Sequence, residues 1–165
     1  MYSAQNFNDW GSKMTNNDYL RSIRYMLDVS DAKLVEIAKL ADITIPLDDM
    51  KAYLKNEEDE GYLKCSDEVM AHFLDGLVYL KRGRDESRPP QPFEFPITNN
   101  VVLKKLKVAF AMKEEDMFDV LHLAGFKIAR SELSALLRKK GHINYRECGD
   151  QFLRNFLKGL TMKVR

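Results

Sequence analysis

The chain has little of what most enzymes and secreted proteins are built on. Its 165 residues include two cysteines, eight glycines, five prolines, three histidines and one tryptophan. Two cysteines cannot staple a chain of this length into a secreted scaffold, and without a CxxC pair they supply no zinc site of the usual kind. The glycines are dispersed, so neither the Walker nor the Rossmann phosphate-loop spacing is present. The acidic run from Glu57 to Glu60 lacks the alternating carboxylates and the glycine of a calcium loop. No apolar run reaches the length of about 18 residues that a membrane helix needs. The opening Met1-Tyr2-Ser3-Ala4-Gln5 has neither the basic nor the apolar region of a signal peptide. These absences lead to the expectation of a cytoplasmic protein with reduced, partly buried thiols, no metal, no cofactor and no membrane partner. No catalytic residue is singled out, and a binding protein is expected rather than an enzyme.

What the chain does have is a duplication. Tyr62-Leu63-Lys64-Cys65-Ser66-Asp67, continuing to Phe73-Leu74-Asp75-Gly76-Leu77, returns as Tyr145-Arg146-Glu147-Cys148-Gly149-Asp150, continuing to Phe156-Leu157-Lys158-Gly159-Leu160. The offset is 83, and residues 15–82 lie on 98–165 without a gap, with 17 identities in 68 positions. Thr15-Asn16-Asn17 matches Thr98-Asn99-Asn100, and the cysteines occupy one and the same repeat position. An ungapped repeat implies two copies of one supersecondary unit. The expected organisation is a loose extension over 1–14, a first repeat over 15–82, a connector over 83–97 and a second repeat over 98–165. The connector holds four of the five prolines and reads as an extended, semi-rigid segment. Within it, Phe93 and Phe95 are candidates to dock on the body, as is Trp10 in the extension.

Each repeat reads as four helices, with no strand signal. Leu20, Ile23 and Leu27 recur at helical spacing, as do Leu103, Leu106 and Phe110. Thr15, Asn16 and Asn17 offer oxygens for the first helix cap, and Ser30 caps the second. Pro46 suits the start of the third, and Asp67 or Asp150 opens and caps the fourth. Gly76 and Gly159 stand inside the fourth helix, where glycine costs about 1 kcal/mol relative to alanine. Their repetition predicts the close approach of another helix. The fold class is therefore all-α, a tandem duplication of a four-helix unit in which the second and third helices form a helix-turn-helix-like pair.

The start Asn-Asn-x-x-Leu-(Arg/Lys), the connector Lys81-Arg82-Gly83-Arg84-Asp85-Glu86-Ser87 and the ending Glu147-Cys148-Gly149-Asp150-Gln151-Phe152-Leu153-Arg154 resemble the bacterial YehS-like proteins. The likeness covers about residues 14–165. It implies two copies of one uncharacterised all-helical domain in a small cytosolic bacterial protein, and it brings no catalytic residues with it.

Charge separates the twins. The net formal charge is +1, but residues 15–82 carry −5 and residues 98–165 carry +7. Equivalent loops are acidic in one copy (Asn56 to Gly61) and basic in the other (Lys139 to His142). Around the third helix of the second repeat stand Lys127, Arg130, Arg138, Lys139 and Lys140, with Lys104 and Lys107 on its first helix. Lysine and arginine in such a cluster bind phosphates by ion pairing and counterion release. The first functional expectation is DNA or RNA binding through the second repeat. The alternative is self-association or a protein partner, with the oppositely charged repeats as the assembly device.

Overall fold

The computed structural model describes residues 13–165. Trp10 and most of the expected N-terminal extension lie outside the described residues. Met14, at its inner edge, is buried in the core.

Among the described residues there are eight helices and no strand. The first repeat supplies α1 (Asn16–Leu27), α2 (Asp31–Lys39), α3 (Leu47–Tyr53) and α4 (Asp67–Arg82). The second supplies α5 (Asn99–Ala109), α6 (Glu114–Leu123), α7 (Arg130–Leu137) and α8 (Asp150–Val164). Thr15 caps α1 in a reciprocal box with Asp18, and the Thr98 hydroxyl accepts from the Val101 amide at α5. Ser30 and Ser66 cap α2 and α4 in the same way.

The helices pack reciprocally. Within each copy the second helix lies on the fourth, α2 on α4 and α6 on α8. Between copies the first helix of one lies on the fourth of the other, α1 on α8 and α4 on α5. One hydrophobic core results, filled from both repeats by residues such as Leu20, Ile23, Phe73, Leu103, Leu106 and Phe156. The exchange has its own polar ties. The Met14 amide donates to Asp150, and the Ile97 amide donates to Asp67, each at 3.3 Å and each the other's counterpart at the 83-residue step. The Tyr19 hydroxyl donates to Asn99 Oδ1, and burial pushes the Tyr19 phenol well above its ordinary range. Lys105 on α5 pairs with the nearly buried Asp75 on α4.

The close approach expected at the two helical glycines is present. An added Cβ at Gly76 would stand 2.0 Å from the Ile37 carbonyl oxygen, and at Gly159 1.9 Å from that of Val120. Both obstacles are backbone of the packed second helix, which no rotamer change can relieve. Gly76→Ala and Gly159→Ala are expected to destabilise by about 2–3 kcal/mol, because overpacking outweighs the gain of about 1 kcal/mol in helix propensity. Urea unfolding checks this, with Gly149→Ala as the comparison: nothing lies within 4 Å of a Cβ there, and only the smaller loss of a poorer N-cap for α8, about 1 kcal/mol or less, is expected.

The connector leaves α4 through Arg84, which donates to the Leu40 carbonyl and pairs with Asp42 at 2.9 Å. Residues 88–96 are exposed and belong to no helix or strand. Phe93 rests edge-on against His72 of α4, with ring centroids 4.7 Å apart, and Phe95 lies tilted beside Phe93 at 5.8 Å. The helix-turn-helix-like pairs differ between copies. α3 packs on α2, whereas α7 makes its main helix contact with α5 and meets α6 through Ser134 to Glu114 and through Arg130 over Phe118.

Candidate functional site

The basic end of the second repeat is built from α5 outward. Asn100, in the first turn of α5, is buried and turns inward. Its amide nitrogen donates to the carbonyls of Leu136 and Arg146, and its oxygen accepts from the Cys148 amide. One side chain thus ties the end of α7 to the segment that enters α8. Asn17 does the same in the first repeat, with Tyr53, Leu63 and Cys65. Neither asparagine caps its helix. Asn16 and Asn99 are not caps either: each donates to a cysteine carbonyl and to an aspartate, Asp67 or Asp150. Those aspartates do stand in the first turn of α4 and α8, where negative charge suits the helix dipole. Their carboxylates hold the asparagine and the other repeat's backbone rather than cap a helix.

The loop between the clamped ends has the same backbone hydrogen bonds in both copies, although its left-handed glycine stands at Gly61 in the first and at Gly141, a different loop position, in the second. His142 N–H donates to the Lys139 carbonyl, Tyr145 N–H to His142, and Arg146 N–H to Ala135. The counterparts are Asp59 to Asn56, Tyr62 to Asp59, and Leu63 to Ala52. One scaffold therefore carries Glu57-Glu58-Asp59-Glu60 in the first repeat and Lys140-Gly141-His142-Ile143 in the second.

Arg138, Lys139 and Lys140 are exposed and contiguous on this loop. Lys104, half-buried, lies one turn along α5 from Asn100 and hence on the same face. Its twin Arg21 donates to the carbonyl of Lys55, the residue that corresponds to Arg138. By this correspondence Lys104 belongs beside Arg138 at the base of the loop. Lys127 and Arg130 are exposed at the opposite end of α7, about 11 Å away along its axis. The Arg130 guanidinium sits over the Phe118 ring. Lys107 takes the place of Arg24, whose partner Asp31 corresponds to Glu114. No ion pair between Lys107 and Glu114 forms among the described residues, although the first turn of α6 carries Glu114, Glu115 and Asp116.

Among the described residues, none of these seven side chains forms an ion pair, whereas the first repeat's Arg21 and Arg24 are both paired, with Asp18 and Asp31. The difference has a simple local cause at Lys104: the position of Asp18 is filled by Val101. The neighbouring Lys105 is spent on Asp75 instead.

Sequence reasoning passed over one residue here. Ile143, at the tip of the basic loop, is 92% exposed, the most exposed large apolar side chain among the described residues. Its isolation between Lys139-Lys140 and Arg146 was readable as an apolar residue outside any helical stripe.

The cysteines are buried, and burial pushes each thiol up to about 12. At pH 8 only roughly one molecule in ten thousand would hold either as thiolate, the form that reacts. Neither cysteine is expected to react with a disulfide reagent in the native protein, and both are expected to react after denaturation, which a thiol titration reads directly. Among the described residues no group of three or more His, Cys, Asp or Glu is placed to hold a metal ion. No helix among them is long and apolar enough to cross a membrane.

A family model described as a protein of unknown function (DUF1456) matches residues 16–83 and again 99–165. The chain is 43% identical over 150 residues to the uncharacterised protein YehS of Escherichia coli (strain K12), which covers 91% of this chain and 96% of that one. No solved structure matches the chain.

Proposed function

The chain belongs to the DUF1456 family, and from the geometry of its second repeat we propose that it binds nucleic acid through the loop at residues 138–146 and the adjoining face of α5. The observation that carries this reading is that Arg138, Lys139, Lys140 and Lys104 form no ion pair among the described residues, on a scaffold fixed by Asn100. Cations whose charge is not already spent on an internal ion pair suit phosphate contacts, since no such pair has to be broken first. Lys127 and Arg130 extend the contact along α7, and Lys107 is its outer member. In this reading α6 and α7 are helix-turn-helix-like only in outline. Arg130 is engaged with Phe118, and α7 is seated mainly on α5, so the loop after α7 leads the contact rather than the start of a recognition helix. The acidic first repeat repels phosphate, so the second repeat acts alone.

A second reading is favoured by the shared loop scaffold. Loops of one backbone pattern with opposite charge suit head-to-tail contact between copies, Glu57 to Glu60 of one against Arg138 to Lys140 of the next. Fluorescence anisotropy with short mixed-sequence DNA and RNA, as single strands and duplexes, tests the first reading, with light scattering on the same samples. Binding by a monomer at low salt is the expected result. No binding at low salt together with a stable oligomer would replace the first reading with the second.

A further inference from the structure

The loop that carries the basic cluster also carries an apolar side chain that the fold does not use. Ile143 is 92% exposed, while the counterpart position on the same scaffold is Glu60. The core therefore has no requirement for an apolar residue there. Nor does Ile143 dangle on a loose tip. The His142 amide donates to Lys139 and the Tyr145 amide donates to His142, while the Asn144 amide donates to His142 Nδ1 at 3.0 Å. The backbone on both sides of Ile143 is thus folded into hydrogen-bonded turns, and Arg146 is fixed behind it by Ala135 and Asn100. An apolar tip is held out into water, between Lys139-Lys140 on one side and Arg146 on the other.

Such a group gains free energy when a partner covers it, and the charges around it favour an anionic one. We infer that Ile143 is a wedge that packs against unstacked bases of a single-stranded nucleic acid while Arg138, Lys139, Lys140 and Arg146 hold the flanking phosphates. The inference rests on the nucleic-acid reading and deepens it. Apolar side chains set among cations are a general means of engaging the faces of bases that have left the stack. A single strand presents those faces without the cost of opening a duplex. It also fits the charge distribution. One short loop is cationic and the other repeat carries −5, so a long rigid duplex would meet repulsion that a flexible strand can avoid.

The test separates this inference from the reading beneath it. Anisotropy titrations at fixed low salt compare wild type, Ile143→Ala and the triple variant Arg138→Glu, Lys139→Glu, Lys140→Glu on single strands and on duplexes. Ile143→Ala is expected to weaken single-strand binding about tenfold, because less apolar surface is buried against the bases, and to leave duplex binding nearly unchanged. Because isoleucine carries no charge, the slope of log affinity against log salt should stay as in wild type, whereas the triple variant should flatten it. If Ile143→Ala binds single strands like wild type while the triple variant does not, the wedge is wrong and the basic site stands. If wild type binds no nucleic acid at low salt, both fall. Retention on vesicles of phosphatidylserine and phosphatidylcholine that depends on Ile143, without nucleic-acid binding, would assign the tip to an anionic lipid surface and overturn the inference.

Discussion

Asn17→Ala and Asn100→Ala are each expected to lower stability by about 3–5 kcal/mol, more than any other single substitution proposed for this chain. Both side chains are almost wholly buried, and each meets three backbone groups, two carbonyls and one amide. A buried polar group left without its partner costs about 1–3 kcal/mol, and alanine leaves three at once. Some of them reach water as the segment relaxes, which is why the expected loss is less than the full sum. A small domain has about 5–15 kcal/mol in total, so either variant approaches the limit of folding. Because α1 lies on α8 and α4 on α5, damage in one repeat should be felt in both. Urea unfolding followed by far-UV circular dichroism and by tyrosine fluorescence should show one transition moved to lower denaturant for each variant. Two separate transitions, only one of them moved, would contradict the shared core. Asn16→Ala and Asn99→Ala provide the graded comparison, since those side chains are part-exposed and their removal is expected to cost less.

Reversing Arg138, Lys139 and Lys140 to glutamate is expected to weaken nucleic-acid binding about 100-fold or more at low salt while leaving the fold intact. The three side chains are exposed and form no ion pair among the described residues, so their replacement breaks no internal salt bridge. Substitutions of that kind generally change stability by no more than about 0.5 kcal/mol. The binding effect is large because each phosphate left unbound also forgoes counterion release, and each new carboxylate repels the strand. The matching change in the first repeat, Glu57→Lys with Glu58→Lys and Glu60→Lys, uses the same scaffold with the opposite sign. Under the nucleic-acid reading it should strengthen binding. Under head-to-tail assembly it should abolish association, and combining it with the second-repeat reversal in one chain should restore it. An unchanged affinity in the first variant, with unfolding curves like wild type, would rule out the basic loop as the binding surface.

How far the sequence reached depended on whether a residue's role was local or set by packing between repeats. The four-helix reading followed from the spacing of Leu20 with Ile23 and of Leu103 with Leu106, and from Thr15, Ser30 and Thr98 at helix starts, since periodicity and caps act over a few residues. Gly76 and Gly159 were legible because a mid-helix glycine that occurs twice needs a tertiary reason, and the carbonyls of Ile37 and Val120 supply it. Asn16 and Asn17 were misassigned to capping. Both residue types suit a cap, and only the folded chain shows that Thr15 fills that role while the asparagines reach across some 36 to 51 residues. Asp67 and Asp150 were likewise placed correctly at helix starts, but their attachment to the other repeat could not be read from one copy. The signal was available in another form. Thr-Asn-Asn and Cys-x-Asp are retained together in both copies, and they are the two halves of one hydrogen-bonded clamp. The seven basic residues were found by composition. Their division into a cluster around Arg138 and a second group at Lys127 and Arg130 follows from the axis of α7, which no linear pattern gives.

The most direct measurement is the slope of log affinity against log salt for a mixed-sequence single strand, taken on wild type and on the triple reversal of Arg138, Lys139 and Lys140. With about five phosphate contacts, affinity should fall about 100-fold between 50 and 200 mM salt in wild type. The triple variant should bind about 100-fold more weakly at 50 mM salt, and its affinity should fall less steeply as salt is raised. Equal affinities and equal slopes for the two proteins would contradict the assignment of this surface to nucleic acid.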